Sequence, residues 1–210
     1  MKTKTKNLTL TAILAAVMLL FGFTPIGYIP LGPVQITLMC LPVIIGTLVL
    51  GLRTGFFLGI IFALTSVAQL FMNPSPVLAP LFFSPENWYE PLIFMLIVFI
   101  PRMAIGPVTY LVSKGLKTGR GKLNLGIACA VGSLTNTIGF LGMMYLFFGQ
   151  RIGEIISNIG LPYDSAGAFV LVIGATNGLP EAGVAVAICL PVVLALRKVY
   201  KQEKTGDKSE

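Results

Sequence analysis

Residues 91–113 read PLIFMLIVFIPRMAIGPVTYLVS, and how this stretch is taken decides the fold. It is long and apolar enough to match the roughly 20 residues a helix needs to cross the hydrocarbon of a bilayer. Yet Arg102 stands near its middle. A guanidinium at the centre of a spanning helix costs about 2.5–3.5 kcal/mol on insertion scales, and buried charges are paired or mark a functional site. Pro101 and Pro107 share the run. Transmembrane helices tolerate such prolines because neighbouring helices re-satisfy the freed backbone groups. The stretch therefore reads as an interior membrane helix carrying a polar site at mid-depth.

The rest of the chain agrees in kind. Of 210 residues, 55% are hydrophobic and 11% charged, against roughly 25% charged in a soluble domain. So few charges exclude a water-soluble monomer and, with this hydrophobicity, a disordered chain. Five further apolar runs lie at about 8–23, 34–51, 54–72, 123–149 and 166–196. The run 34–51 is broken by Pro42. No linker divides the chain, so the expectation is one membrane domain over 1–210: an all-α integral membrane protein with six transmembrane helices. Lys2, Lys4 and Lys6 resemble the n-region of a signal peptide, but Phe23–Thr24–Pro25 is no small-residue cleavage site. The first run reads as a retained helix.

Orientation follows from Lys and Arg, which concentrate on the cytoplasmic side. With six spans, one side holds Lys2, Lys4 and Lys6, then Arg53, then Lys114, Lys117, Arg120 and Lys122, and finally the tail from Arg197 to Lys208. The other side holds Arg151 beside Glu86, Glu90, Glu154 and Asp164. Both termini are expected in the cytoplasm, and the net charge of +7 is accounted for by topology, with the lipid bilayer and no nucleic acid as partner.

The residues expected to carry function are polar ones at mid-membrane. Besides Arg102 these are Asn136, flanked by Thr135 and Thr137, and Asn177 and Glu181 in the last span. Asn177 and Glu181 are i and i+4 and share a helix face. One reading is a structural Arg102–Glu181 ion pair locking two helices. The other is an outward-open pocket in which Arg102 grips an anionic group, ideally a carboxylate, with Asn136, Asn177 and Thr135 as neutral partners. The outer loops are rich in proline and aromatics. Tyr28, Trp88 and Tyr89 suit either an interfacial belt or a lid over the pocket.

Other chemistries lack their residues. The chain has no histidine, so imidazole triads and His ligands are excluded. The three cysteines, Cys40, Cys129 and Cys189, stand singly in apolar runs without ligand spacing. There is no GxxxxGK[ST] phosphate loop and no GxSxG. The expectation is no catalysis, no metal and no cofactor: a binding subunit, with a standalone secondary transporter or channel, or a structural membrane protein, as alternatives. Ala12 and Ala16 form a small-xxx-small step, which lets another helix approach closely.

Several stretches, taken in order, resemble a known family. They are Thr24-Pro25-Ile26-Gly27-Tyr28-Ile29-Pro30-Leu31-Gly32-Pro33-Val34-Gln35-Ile36-Thr37-Leu38, Pro42-Val43-Ile44-Ile45-Gly46 with Leu50-Gly51 and Gly55, Phe62-Ala63-Leu64-Thr65-Ser66, Phe99-Ile100-Pro101-Arg102, and Ala175-Thr176-Asn177-Gly178-Leu179-Pro180-Glu181-Ala182. Together, over about residues 8–198, they resemble the substrate-binding S components of energy-coupling factor (ECF) vitamin transporters, pantothenate type. Ala63 stands where glycine is expected, and Cys40 where the family often has histidine. The resemblance implies high-affinity capture of a vitamin, pantothenate or another small one, from outside. It also implies docking on a transmembrane coupling protein driven by two cytoplasmic ATPases. The family's Ala-xxx-Ala docking motif maps onto Ala12 and Ala16. Pantothenate is a small carboxylate with two hydroxyls and an amide, which suits Arg102 and two asparagines. An aromatic vitamin would want a stacking clamp, which the deep residues do not offer, though Tyr28, Phe82 or Trp88 could supply one from the loops.

Overall fold

The computed structural model describes residues 2–24, 27–31, 34–75, 77–116 and 121–206, with side chains for all of these except 2–3, 28–31, 34–36 and 200–206. Along them run α1 (Lys2–Phe23), β1 (Tyr28–Leu31), β2 (Val34–Thr37), α2 (Cys40–Leu50), α3 (Leu52–Met72), α4 (Ala79–Phe83), α5 (Glu90–Gly115), α6 (Gly121–Asn158) and α7 (Ala166–Gly206). Among the described residues, five helices are long and apolar enough to cross a membrane: α1, α3, α5, α6 and α7.

The predicted second span, 34–51, is built differently. Its start is β2, antiparallel to β1 with Tyr28 opposite Thr37 and Leu31 opposite Val34. Helix begins only at Cys40, and α2 has 11 residues. At 1.5 Å per residue that is about 16 Å, short of the roughly 30 Å hydrocarbon core. The cause is local. Val34, Ile36 and Thr37 are β-branched and favour a pleated surface. Pro42 falls in the first turn of α2, where a missing N–H costs nothing, so it marks the start of a helix and not a break in one. Apart from this short hairpin, the described elements are helices, as expected.

Two other boundaries move outward. The fifth span, predicted over 123–149, continues to Asn158 past a non-helical Phe148 (φ −125°, ψ 16°). Arg151 and Glu154 suggested a loop, but Ile152 and Ile156 are buried at helical spacing. The last helix, predicted to end at 196, extends to Gly206.

The helices enclose two apolar cores. One contains Leu14, Met18, the buried face of α2, Leu58, Ile105, Cys129 and Cys189. The other contains Leu70, Phe94, Ile97, Met144, Phe148 and Ile156. Helices α3 and α6 run from the first core to the second, and α5 and α7 run back. Each passes through an intervening layer, and the deep polar residues lie there.

Backbone contact between α3 and α5 sets this layer. A β-carbon at Gly59 would lie 2.7 Å from the Arg102 carbonyl oxygen, and one at Gly106 would lie 2.7 Å from the Gly55 carbonyl carbon. Neither helix can carry a side chain at these crossings. The turn from α2 to α3 is the single residue Gly51, at φ 103°, in the region that favours glycine. Arg197 of α7 donates from Nε and Nη2 to the Leu48 carbonyl at 3.1 and 2.7 Å. This cation caps the negative end of α2 and takes up one of its orphan carbonyls.

Substituting Gly59 or Gly106 by valine is expected to cost about 1–3 kcal/mol, as overpacking does. Thermal unfolding in detergent reads this as a lowered Tm. Gly183→Ala, where nothing lies within 4 Å, should leave Tm unchanged or raise it.

Candidate functional site

Five helices and the hairpin contribute to a cavity in the polar layer, α1 through Phe23 at its end and each of the other four through one stripe at near-fourfold spacing. From α3 come Phe62, Ser66 and Gln69, with Asn73 just beyond its end. From α5 come Phe94, Val98 and Arg102. Helix α6 supplies Asn136, Thr137, Phe140, Leu141 and Met144, and α7 supplies Phe169, Ile173, Asn177 and Glu181. Residues i and i+4 stack on one helix face, so each list is a continuous strip. Two overlapping lobes of ≈ 740 and ≈ 870 Å³ share Thr37, Arg102, Asn136 and Phe140, in the size range of small-molecule sites.

Arg102 is the centre. Its Cζ lies 4.3 Å from the Phe140 ring centroid and 5.7 Å from that of Phe62, within reach of cation–π attraction. Its Nη1 donates to the Ile97 carbonyl at 3.4 Å. The deep layer thus does hold phenylalanines, contrary to the sequence expectation, but the guanidinium occupies their neighbourhood. Around it, Asn136 Oδ1 and Asn177 Oδ1 are buried acceptors with no hydrogen-bond partner among the described residues. Buried polar groups of this sort are uncommon and call for a partner.

Glu181 has other company than expected. Its Oε1 accepts from the Thr37 backbone N–H at 2.9 Å and from the Thr37 hydroxyl at 3.0 Å. Its Oε2 accepts from the Thr137 hydroxyl at 3.0 Å. Among the described residues, Arg151 forms ion pairs with Glu86 and Glu90. Thr135 does not line the cavity: its hydroxyl donates to the Val131 carbonyl at 2.7 Å, two residues round the helix from Thr137. Tyr28 lies in β1, but its side chain is outside the described residues. Trp88 is 82% exposed and, like Tyr89 and Phe82, does not line the cavity. Ala12 and Ala16 are both exposed on α1.

Sequence reasoning singled out Gln69 on α3 and Tyr28 in the hairpin, but not Phe62, Ser66, Asn73 or Thr37. Phe62, Ser66, Gln69 and Asn73 follow helical spacing, and that spacing was the available signal. Gln69 also donates to the Gly22 carbonyl, and Asn73 donates to Gln69 Oε1 at 2.8 Å, tying the cavity rim to α1. A second missed cluster lies beyond the cavity. Arg151 Nη1 donates to Glu90 Oε2 at 2.6 Å, its Nη2 to the Ser84 carbonyl at 2.8 Å, and its Nε stands 3.4 Å from Glu86 Oε1. Asn87 Nδ2 also donates to Glu90, at 3.1 Å. The C-terminal end of α6 is thereby fastened to the α4–α5 loop.

A ligand-sized cavity with a charged centre, enclosed by membrane-crossing helices, defines a membrane-embedded binding protein of the transport class. Residues 6–193 match the family described as ECF transporter, substrate-specific component, and the chain belongs to that family. It is a multi-pass cell-membrane protein. It is 35% identical to the pantothenic acid transporter PanT of Lactococcus lactis subsp. cremoris, over 94% of this chain and 96% of that one. It is 30% identical to the pantothenate transporter PanT of Leuconostoc mesenteroides, over 69% of this chain and 71% of that one. Among solved structures, ThiT from Listeria monocytogenes shares the fold, with a TM-score of 0.55, 17% identity, and coverage of 95% of this chain and 97% of its own.

Arg151→Ala should lower stability by about 1–3 kcal/mol, because Glu90, 5% exposed, is left buried without its charged donor. Pairing it with Glu90→Gln should recover part of that loss. The double-mutant cycle, read by thermal unfolding, isolates the coupling.

Proposed function

We propose that the chain is the pantothenate-binding subunit of an ECF-type uptake transporter, taking its ligand at the cavity around Arg102. The observation that carries this is the grouping of one guanidinium with two unpartnered carboxamide oxygens, Asn136 Oδ1 and Asn177 Oδ1, at the cavity's polar layer. The guanidinium fork suits the carboxylate of pantothenate. The two amide oxygens need donors, and pantothenate's two hydroxyls and amide N–H are donors. Phe62, Phe94 and Phe140 line the remainder with apolar surface suited to the ligand's carbon skeleton. The names of the curated relatives support the same substrate.

On this reading 1–210 form one membrane domain with six crossings and cytoplasmic termini. The β1–β2 hairpin and α2 together make the second, irregular crossing. The alternating course of the helices through the two cores supports an even number. The chain captures ligand and catalyses nothing. A separate coupling protein and two cytoplasmic ATPases supply the work, with the exposed Ala12–Ala16 step of α1 as the surface on which the coupling protein docks.

Calorimetry with pantothenate tests the substrate. Wild type should bind it, and Arg102→Ala should bind at least about tenfold more weakly, since one charge-assisted hydrogen bond is worth about 1.5–3 kcal/mol. Asn136→Leu, nearly isosteric and unable to accept, should also weaken binding. Binding of some other vitamin in place of pantothenate overturns the assignment.

Docking is tested separately. Ala12→Trp or Ala16→Trp should leave ligand affinity intact in the purified subunit and abolish ATP-driven uptake in liposomes holding the complete transporter. Uptake by the subunit alone, with no ATPase present, would make it a secondary transporter instead.

A further inference from the structure

Glu181 lines the cavity, yet it is held by neighbours within the protein. Both of its carboxylate oxygens are already engaged: Oε1 by the N–H and hydroxyl of Thr37, Oε2 by the hydroxyl of Thr137. An acid so placed would repel an anionic ligand, and it leaves the neutral acceptors Asn136 and Asn177 as the open positions. Thr37 is the last residue of β2 and pairs with Tyr28 across the hairpin. The next residue, Leu38, donates its N–H to the Gly27 carbonyl at 3.0 Å, closing the hairpin's base. Glu181 therefore bridges three elements at one point: the base of the hairpin, α6 and α7.

We infer that Glu181 is a positioning residue that clasps the base of the β1–β2 hairpin against α6 and α7, and so governs how fast ligand enters and leaves the cavity. This rests on the proposed binding function. Among the described residues its hydrogen-bond donors are neutral, two hydroxyls and one amide. A clasp of this kind can open and re-form. Thr37 also lines both lobes of the cavity, so moving the hairpin base changes access to Arg102 directly.

Hydrogen exchange on the ligand-free subunit in nanodiscs tests the clasp without any ligand. Glu181→Ala should raise exchange of the amides in 27–38 by at least tenfold while leaving 125–133 and 185–193 in the first core unchanged. Thr137→Val, which removes one arm, should give a smaller rise in the same segment. Glu181→Gln should restore most of the protection, since its amide oxygen still accepts from Thr37 and its amide nitrogen can donate to the Thr137 hydroxyl. With labelled pantothenate, Glu181→Ala should raise association and dissociation rates together, so that Kd changes less than either. Unchanged exchange in 27–38, or a uniform rise across the whole chain, overturns the clasp. So does a Kd increase carried by dissociation alone with the hairpin still protected, which would make Glu181 a ligand contact. If wild type binds no pantothenate, the substrate reading fails and the exchange result still decides the role of Glu181.

Discussion

A guanidinium inside a membrane protein must find its solvation within the protein. That requirement at Arg102 organises what surrounds it. Removing a charge from water is costly enough that its environment has to be built. Here α5 places Arg102 between two apolar cores, and the rings of Phe62 and Phe140 flank it. Glycine at 59 lets the α3 backbone approach the Arg102 carbonyl. Were α3 held further off, Phe62 would move away from the guanidinium and the cavity wall formed by Ser66 and Gln69 would shift with it. The polar layer, the helix crossing and the cavity all meet at this one half-buried charge.

Much of this was legible in the sequence, and the reason is energetic. In hydrocarbon a polar side chain is expensive, so each deep one is informative: Arg102, Asn136, Asn177 and Glu181 all line the cavity. What hydropathy could not convey is direction. Thr135 and Thr137 have the same composition and nearly the same depth, but helix geometry turns one toward its own Val131 carbonyl and the other toward Glu181. The Arg102–Glu181 pair was the natural guess for two opposite charges in one layer. The structure instead satisfies Glu181 with Thr37, a donor that reaches it only through the hairpin. A run of apolar residues cannot announce that its first part is strand, because apolar runs of four to eight residues do not separate strand from helix by periodicity.

The cluster around Arg151 reads poorly for a related reason. Charges there are cheap, so Arg151, Glu86 and Glu90 looked like loop residues and orientation markers. Yet Glu90 is buried, and Arg151 joins it to Glu86 and the Ser84 carbonyl. Charge count gave the side of the membrane expected for this region. Only geometry gave the contact, because residues separated by about sixty positions meet through the packing of α5 on α6.

The short α2 follows from combining these constraints. A sixth full-length helix in its place would fill the space through which the hairpin base reaches Glu181, and the cavity would lose the wall that Thr37 supplies. At the other end of this short helix Arg197 caps the negative terminus through the Leu48 carbonyl. The hairpin satisfies much of its own backbone by cross-strand pairing, so irregular structure at this depth need not leave polar groups in lipid. A helix packed on both sides could not move without breaking a core. A two-stranded hairpin held at its base by neutral donors can, and a protein that must admit a ligand on one side and release it on the other needs a part of its wall that is not core.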